Sequence, residues 1–146
     1  MMDGFTRAPR YVLLHDRIPD GPSMTQTSEG EVTAVYGFSD KPEYDAFLRE
    51  NLTALAPYPL VKGFLKRQLE EGHEVLRLVV INATSSKQTI LQAATFQAIV
   101  ESFELNRDTV EVSYELEFDE TSGSYLVHSL AAMPSRMAKF GTTKQG

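Results

Sequence analysis

The chain of 146 residues contains no cysteine. It therefore cannot carry a disulfide framework, a thiolate metal site or a cysteine nucleophile. The same absence fits a reducing compartment, and we expect a cytoplasmic location. The longest apolar runs, residues 11–14 and 78–81, fall far short of the ~20 residues that cross a bilayer. Because no apolar signal segment precedes Asp16, we expect neither secretion nor a membrane partner.

Positive charge is scarce. The chain has 14 Lys and Arg against 20 Asp and Glu, which gives a formal net charge of −6. An acidic domain repels phosphate backbones, and no basic stripe with interleaved aromatic residues is present, so we expect no nucleic-acid partner. The contents of hydrophobic residues, 42%, and charged residues, 23%, are typical of a soluble globular protein.

The length predicts a single domain over residues 1–146. We expect residues 1–9 and 134–146 to be flexible, and residues 17–30, which are rich in Pro, Gly, Ser and Thr, to form a loop. Met24 leaves open that the first 23 residues lie outside the native domain, although the apolar run at 11–14 argues against this.

Catalytic signatures are also missing. The sequence has no Gly-x4-Gly-Lys phosphate loop, no Gly-x-Gly-x-x-Gly motif and no Gly-x-Ser-x-Gly elbow. The three histidines, His15, His73 and His128, are far apart in sequence and show no metal-ligand spacing. We therefore expect no catalytic residue, no metal and no cofactor, and a non-catalytic protein rather than an enzyme.

The patterns that are present predict an α+β fold with a mixed sheet of about five strands. Period-two alternation is clearest over residues 110–119, where one face is apolar and the other acidic. Residues 73–83 are apolar on both faces and predict a central strand. The order along the chain is β-β-α-α-β-α-β-β, with the other strands at residues 10–16, 31–38 and 125–132.

Three helices are predicted to pack against this sheet. Asp40 is in N-cap position, Pro57 and Pro59 interrupt the apolar pattern, and Gly72 provides a stop, which together predict a helical hairpin over residues 41–71. Residues 86–104 have apolar residues at helical spacing and predict the third helix. Their β-branched and aromatic residues leave two strands as the alternative.

The C-terminal hairpin carries most of the candidate interaction residues. A turn centred on Ser122-Gly123 predicts that Glu117 lies directly opposite His128, which allows an ion pair between them. On the same face, acidic residues alternate with leucines, a mixture typical of a contact with another chain. The predicted interface residues are Glu115, Leu126 and Leu130.

The remaining polar candidates point to a ligand. Arg77 is a lone charge in an apolar strand, and a buried arginine needs a partner, either a ligand anion or an ordinary Glu at the sheet edge. Together with Tyr36, Glu117 and His128 it is a candidate lining of a pocket between the helical hairpin and the sheet.

Two functions follow from these observations. The expected one is a non-catalytic protein-interaction or assembly module that self-associates through its C-terminal hairpin, so that its partners are other copies of itself or another protein. The alternative is a small-molecule-binding protein or enzyme that uses the pocket between helices and sheet.

Overall fold

The computed structural model describes residues 5–15, 18–26, 31–50, 55–71, 75–85 and 87–130. Within these residues the fold is α+β, with a mixed sheet and three helices, as the sequence predicts. The strands are β1 (Phe5–Arg7), β2 (Tyr11–His15), β3 (Ile18–Pro19), β4 (Glu31–Phe38), β5 (Ala56–Pro59), β6 (Val75–Ile81), β7 (Ile90–Thr95), β8 (Thr109–Glu111), β9 (Tyr114–Asp119) and β10 (Ser124–Ser129). The helices are α1 (Lys41–Glu50), α2 (Lys62–Glu71) and α3 (Phe96–Glu104).

The described part of the chain thus has ten strands where the sequence predicts about five. The additional strands are mostly short. β1, β3, β5 and β8 have two to four residues each, too few for a recognisable alternation. The predicted strand at 110–119 is divided into β8 and β9 by residues 112 and 113.

The main sheet has the order β10-β9-β7-β6-β4-β2-β3, and β5 pairs with β2. β6 lies in the middle, parallel to β4 and antiparallel to β7. Its residues Leu78, Val79 and Val80 are fully buried, because one face packs into the sheet interior and the other lies under helices. The predicted central strand is therefore confirmed.

The sheet curls round on itself, and residues 20–26 fill the gap between β4 and β10. On one side the Tyr36 N–H donates to the Asp20 carbonyl at 2.9 Å, and the Val32 N–H donates to the Gln26 side chain at 2.8 Å. On the other side the Tyr125 N–H donates to the Ser23 carbonyl at 2.9 Å. The result is an incomplete barrel.

Two apolar clusters form the core, one on each face of the curled sheet. The inner cluster lies within the curl and is closed by α1, whose buried Phe47 contacts Tyr36 with ring centroids 4.6 Å apart. The outer cluster is covered by α2 and α3, which meet through Phe64 and Phe96 at 6.4 Å. None of the described helices is long and apolar enough to span a bilayer.

The predicted helical hairpin over residues 41–71 is wrong. Helices α1 and α2 are present, but strand β5 lies between them in sequence and pairs with β2. α1 packs against the inner cluster and α2 against the outer cluster. The physical reason is the pair Pro57 and Pro59, since the residue before a proline is driven into extended backbone. A proline-rich strand at a sheet edge and a proline-rich helix linker look the same in sequence.

The predicted third helix over residues 86–104 is wrong in its first half. Residues 90–95 form β7, and α3 begins only after Thr95, whose hydroxyl oxygen accepts a hydrogen bond from the Ala98 N–H at 3.0 Å. Leu91 and Ala94 match helical spacing by coincidence, because the strand places Leu91 and Ala93 inward and Ala94 outward.

The N-terminal residues take part in the fold. β1 pairs with β8, Ala8 and Pro9 are buried, and Leu13 of β2 lies in the inner cluster. Residues 18–26, which fall in the predicted loop, contain β3 and the segment that fills the barrel gap. The predicted flexible tail at 134–146 lies outside the described residues.

Candidate functional site

The pair of Glu117 and His128 is formed, although the predicted hairpin register is wrong by two residues. His128 lies opposite Glu115, and Leu126 lies opposite Glu117, because a four-residue turn joins Asp119 to Ser124. Gly123 adopts a φ of 74° in this turn, which favours glycine. A shift of two residues keeps side chains on the same face, so His128 Nε2 still reaches Glu117 Oε1 diagonally, at 3.1 Å.

Around this pair lies a mixed surface, which we call the hairpin face. It consists of the outward side chains of β7, β9 and β10: Ile90, Glu115, Glu117, Leu126 and His128. Ile90 is 43% exposed and lies next to Glu117 across the ladder. Leu130, the third predicted interface residue, packs against the outer cluster and lies beyond the end of this face.

Tyr36 lies in the interior, away from the hairpin face. Its ring is buried in the inner cluster, and burial raises the pKa of its hydroxyl, with smaller contributions from the Tyr125 hydroxyl and the Asp20 carboxylate. Burial also raises the pKa of Asp20, partly opposed by His15 and by the Gly21 N–H. The hydroxyl of Tyr125 donates to the Gln88 carbonyl.

Arg77 lies on the outer face of β6, next to α2. Its Nη1 donates to Gln68 Oε1 at 3.3 Å, and its buried Nε has no partner within the described part of the chain. The partner that the structure describes for Arg77 is thus the side-chain amide of Gln68 in α2. Of the four predicted ligand residues, only Glu117 and His128 are brought together.

An apolar groove lies elsewhere, between α2 and the β2–β5 edge of the sheet. This groove has a volume of about 450 Å³. Its walls are Val12 and Leu14 of β2, Tyr58 and Pro59 of β5, and Phe64 and Arg67 of α2. Arg67 is the one charged residue among those lining it, and no described side chain forms an ion pair with it.

The rim of the groove is apolar and exposed. Tyr58 and Val61 line it and are 55% and 49% exposed. Scattered exposed apolar residues are ordinary, but a cluster beside a concavity marks a binding surface.

A second, more polar hollow adjoins the groove and shares Leu60 and Val61 with it. Its volume is about 400 Å³, and it carries Arg10 and Arg107 together with Asp108. Arg10 contacts Asp108 at 3.5 Å and lies over the ring of Phe103 at 5.9 Å. The groove and the hollow together therefore combine apolar walls with the guanidinium groups of Arg10, Arg67 and Arg107, in a chain whose net charge is −6.

One feature of the sequence indicates this groove, although hydrophobic periodicity does not detect it. Ala56-Pro57-Tyr58-Pro59 is a short strand with exposed side chains throughout, and a tyrosine held between prolines has a rigid backbone. The other walls come from residues distant in sequence, which only the fold brings together.

Among the described residues, no group of three or more His, Asp or Glu side chains is placed to hold a metal ion. Comparison of the chain with protein-family models, with curated proteins and with solved structures finds no match.

Proposed function

We propose that this chain is a non-catalytic protein-interaction module that associates with itself, and that the groove between α2 and β5 is its main contact surface. The observation that carries the proposal is the exposure of Tyr58 and Val61, which are both about half exposed and line one apolar concavity. Such a patch costs free energy in water until another surface covers it.

The exposed rim favours a protein partner over a small molecule. A small ligand inside the groove would contact Leu14 and Phe64, but it would leave part of the half-exposed Tyr58 and Val61 in water. A protein surface covers both the concavity and its rim. Protein interfaces combine a buried apolar centre of this kind with a polar periphery, and arginine is enriched in them.

We expect the groove to bind its partner through side chains, and not through a strand of the partner that pairs with β5. The Leu60 N–H donates to the Arg10 carbonyl at 2.8 Å, and Tyr58 lies opposite Val12, so alternate residues of this segment bond inward. The nitrogens of Pro57 and Pro59 then point to the free edge, where proline has no N–H to donate. This edge is protected from strand addition.

A second candidate function is binding of a small apolar molecule. The groove volume of about 450 Å³ falls in the range of roughly 300–1,000 Å³ that is usual for ligand sites. The groove lies between helix α2 and the sheet, whereas the sequence predicts a ligand pocket between a helical hairpin and the sheet. The predicted ligand residues Tyr36, Arg77, Glu117 and His128 are not among the residues that line the groove.

Light scattering on the purified protein tests the proposal. Wild type at high micromolar concentration should have a mass above that of the monomer, and Val61→Asp should reduce it to the monomer mass without lowering the melting temperature. Leu105→Asp is the matched control, since Leu105 is 53% exposed and does not line the groove. A monomeric wild type, or equal masses for all three proteins, would contradict the proposal.

A further inference from the structure

We infer that the groove of one copy receives the hairpin face of a second copy, so that the chain assembles head to tail. This inference rests on the proposed self-association and adds which surface meets which. It starts from two unlike surfaces on the same molecule.

The first argument is charge. The groove and the hollow beside it carry Arg67, Arg10 and Arg107, and Asp108 is the one acidic residue among the described residues that line them. The hairpin face carries the carboxylates of Glu115 and Glu117, with Asp119 at its end and His128 as its one basic group. Guanidinium groups and carboxylates bind each other with good geometry, so the two surfaces are electrostatically complementary.

The second argument is apolar character and shape. The hairpin face presents Ile90 and Leu126 between its carboxylates. It lies on the outer, convex side of the curled sheet, whereas the groove is concave. An apolar convex strip with an acidic border fits an apolar groove with a basic border.

The alternative of two hairpin faces packed together is less favourable. A two-fold contact places the same patch of both copies in one interface, which would gather four carboxylates, from Glu115 and Glu117 of each copy, with only the two His128 side chains as basic groups. Like charges brought together in this way cost free energy, and the His128 ring already contacts Glu117 of its own copy at 3.1 Å.

The positions of the two surfaces determine the form of the assembly. The hairpin face lies on β7, β9 and β10, whereas the groove lies on β2, β5 and α2, so the two surfaces share no residue. A copy can therefore use both surfaces at once. A contact that is repeated head to tail builds rings or open chains, whereas two copies that exchange it about a two-fold axis stop at a dimer.

Mixing two variants tests the pairing directly. Val61→Asp removes a groove and keeps the hairpin face, whereas Leu126→Asp removes a hairpin face and keeps the groove. Head-to-tail assembly predicts that each variant alone is monomeric and that an equal mixture contains a species of twice the monomer mass, because one intact groove meets one intact face. Ile90→Asp, at a more exposed position of the same face, replaces Leu126→Asp if the latter does not fold.

Each other outcome decides against the inference. If Val61→Asp keeps the wild-type mass while Leu126→Asp is monomeric, the hairpin faces pair with each other, and self-association stands without the head-to-tail contact. If both variants and their mixture stay monomeric while wild type assembles, each contact between two copies needs the groove and the hairpin face of both copies at once. A wild type that is itself monomeric removes the proposed function as well.

Discussion

Gly21 marks the closest backbone approach in the barrel gap. A Cβ atom placed on this residue would lie 1.9 Å from the carbonyl oxygen of Ala34 in β4, a distance that backbone atoms cannot accommodate. Glycine is therefore required where residues 20–26 pack against the sheet. Gly63 is the contrasting case, because it lies in α2 with open space around its Cα.

The two glycines should respond to alanine with opposite signs. Gly21→Ala should lower the free energy of unfolding by about 1–3 kcal/mol, since the backbone must shift to relieve the overlap. Gly63→Ala should raise it by about 0.5–1 kcal/mol, since alanine has the higher helix propensity. Urea denaturation of both variants measures the two changes. A Gly21→Ala protein as stable as wild type would mean that residues 20–26 do not fill the barrel gap.

The buried hydroxyl of Tyr36 gives the fold a dependence on alkaline pH. Its pKa is raised mainly by burial, so the folded state resists ionisation while the unfolded chain ionises near the ordinary value of about 10. The stabilisation from this group is thus fully present below that pH and is lost as the pH rises through the window above it.

Replacing Tyr36 should remove part of that loss. We expect Tyr36→Phe to unfold at a higher pH than wild type in an alkaline titration followed by circular dichroism. Tyr58→Phe is the matched control, because the Tyr58 ring is more than half exposed. The Tyr58→Phe protein should lose structure at the same pH as wild type. If Tyr36→Phe and wild type lose structure at the same pH, the hydroxyl of Tyr36 is not buried as described.

At the scale of single elements, the start of α3 is the sharpest difference between prediction and structure. A helix over residues 86–104 would place Thr95 in its interior, where Thr→Ala gains about 0.5 kcal/mol from helix propensity. The structure makes Thr95 the N-cap, where the same change loses about 1 kcal/mol with the bond to the Ala98 N–H. Thermal unfolding of Thr95→Ala therefore distinguishes the two by its sign. Thr95→Ser, which keeps the hydroxyl, should stay near wild type.

The elements that sequence predicts well are those with a long uniform pattern. Strand β4 is predicted at its observed bounds, and β6 within two residues at each end, because each is an unbroken apolar or alternating segment. β5 and β7 are missed for opposite reasons. β5 is too short and proline-rich to show a pattern, and β7 runs directly into α3, so that the two together imitate one helix.

The two candidate surfaces, the hairpin face and the groove, also differ in how well the sequence predicts them. The hairpin face is predictable, because a strand of strict alternation and its turn fix which side chains share a face, even with a register two residues off. The groove is not, because β2, β5 and α2 approach each other only through tertiary pairing. Local patterns carry no information about which distant segments meet.

For the whole molecule, charge asymmetry matters more than the net charge of −6. The acidic residues of the hairpin face lie on β9, whereas the arginines lie around the groove and the hollow beside it. Surface charges are screened by salt beyond about 10 Å at 0.1 M ionic strength. Assembly driven partly by these charges should weaken as salt rises, while the apolar contribution of Val61 and Leu126 persists.

Sedimentation velocity of the wild-type protein over a range of concentrations, at low and at high salt, tests the central claim of head-to-tail self-association most directly. At low salt we predict a mean mass that rises with concentration past twice the monomer mass, since a contact repeated head to tail does not close at a dimer. High salt should move this rise to higher concentration. A mass that stops at twice the monomer mass would contradict the head-to-tail contact, and a mass that stays at the monomer value at every concentration would contradict self-association itself.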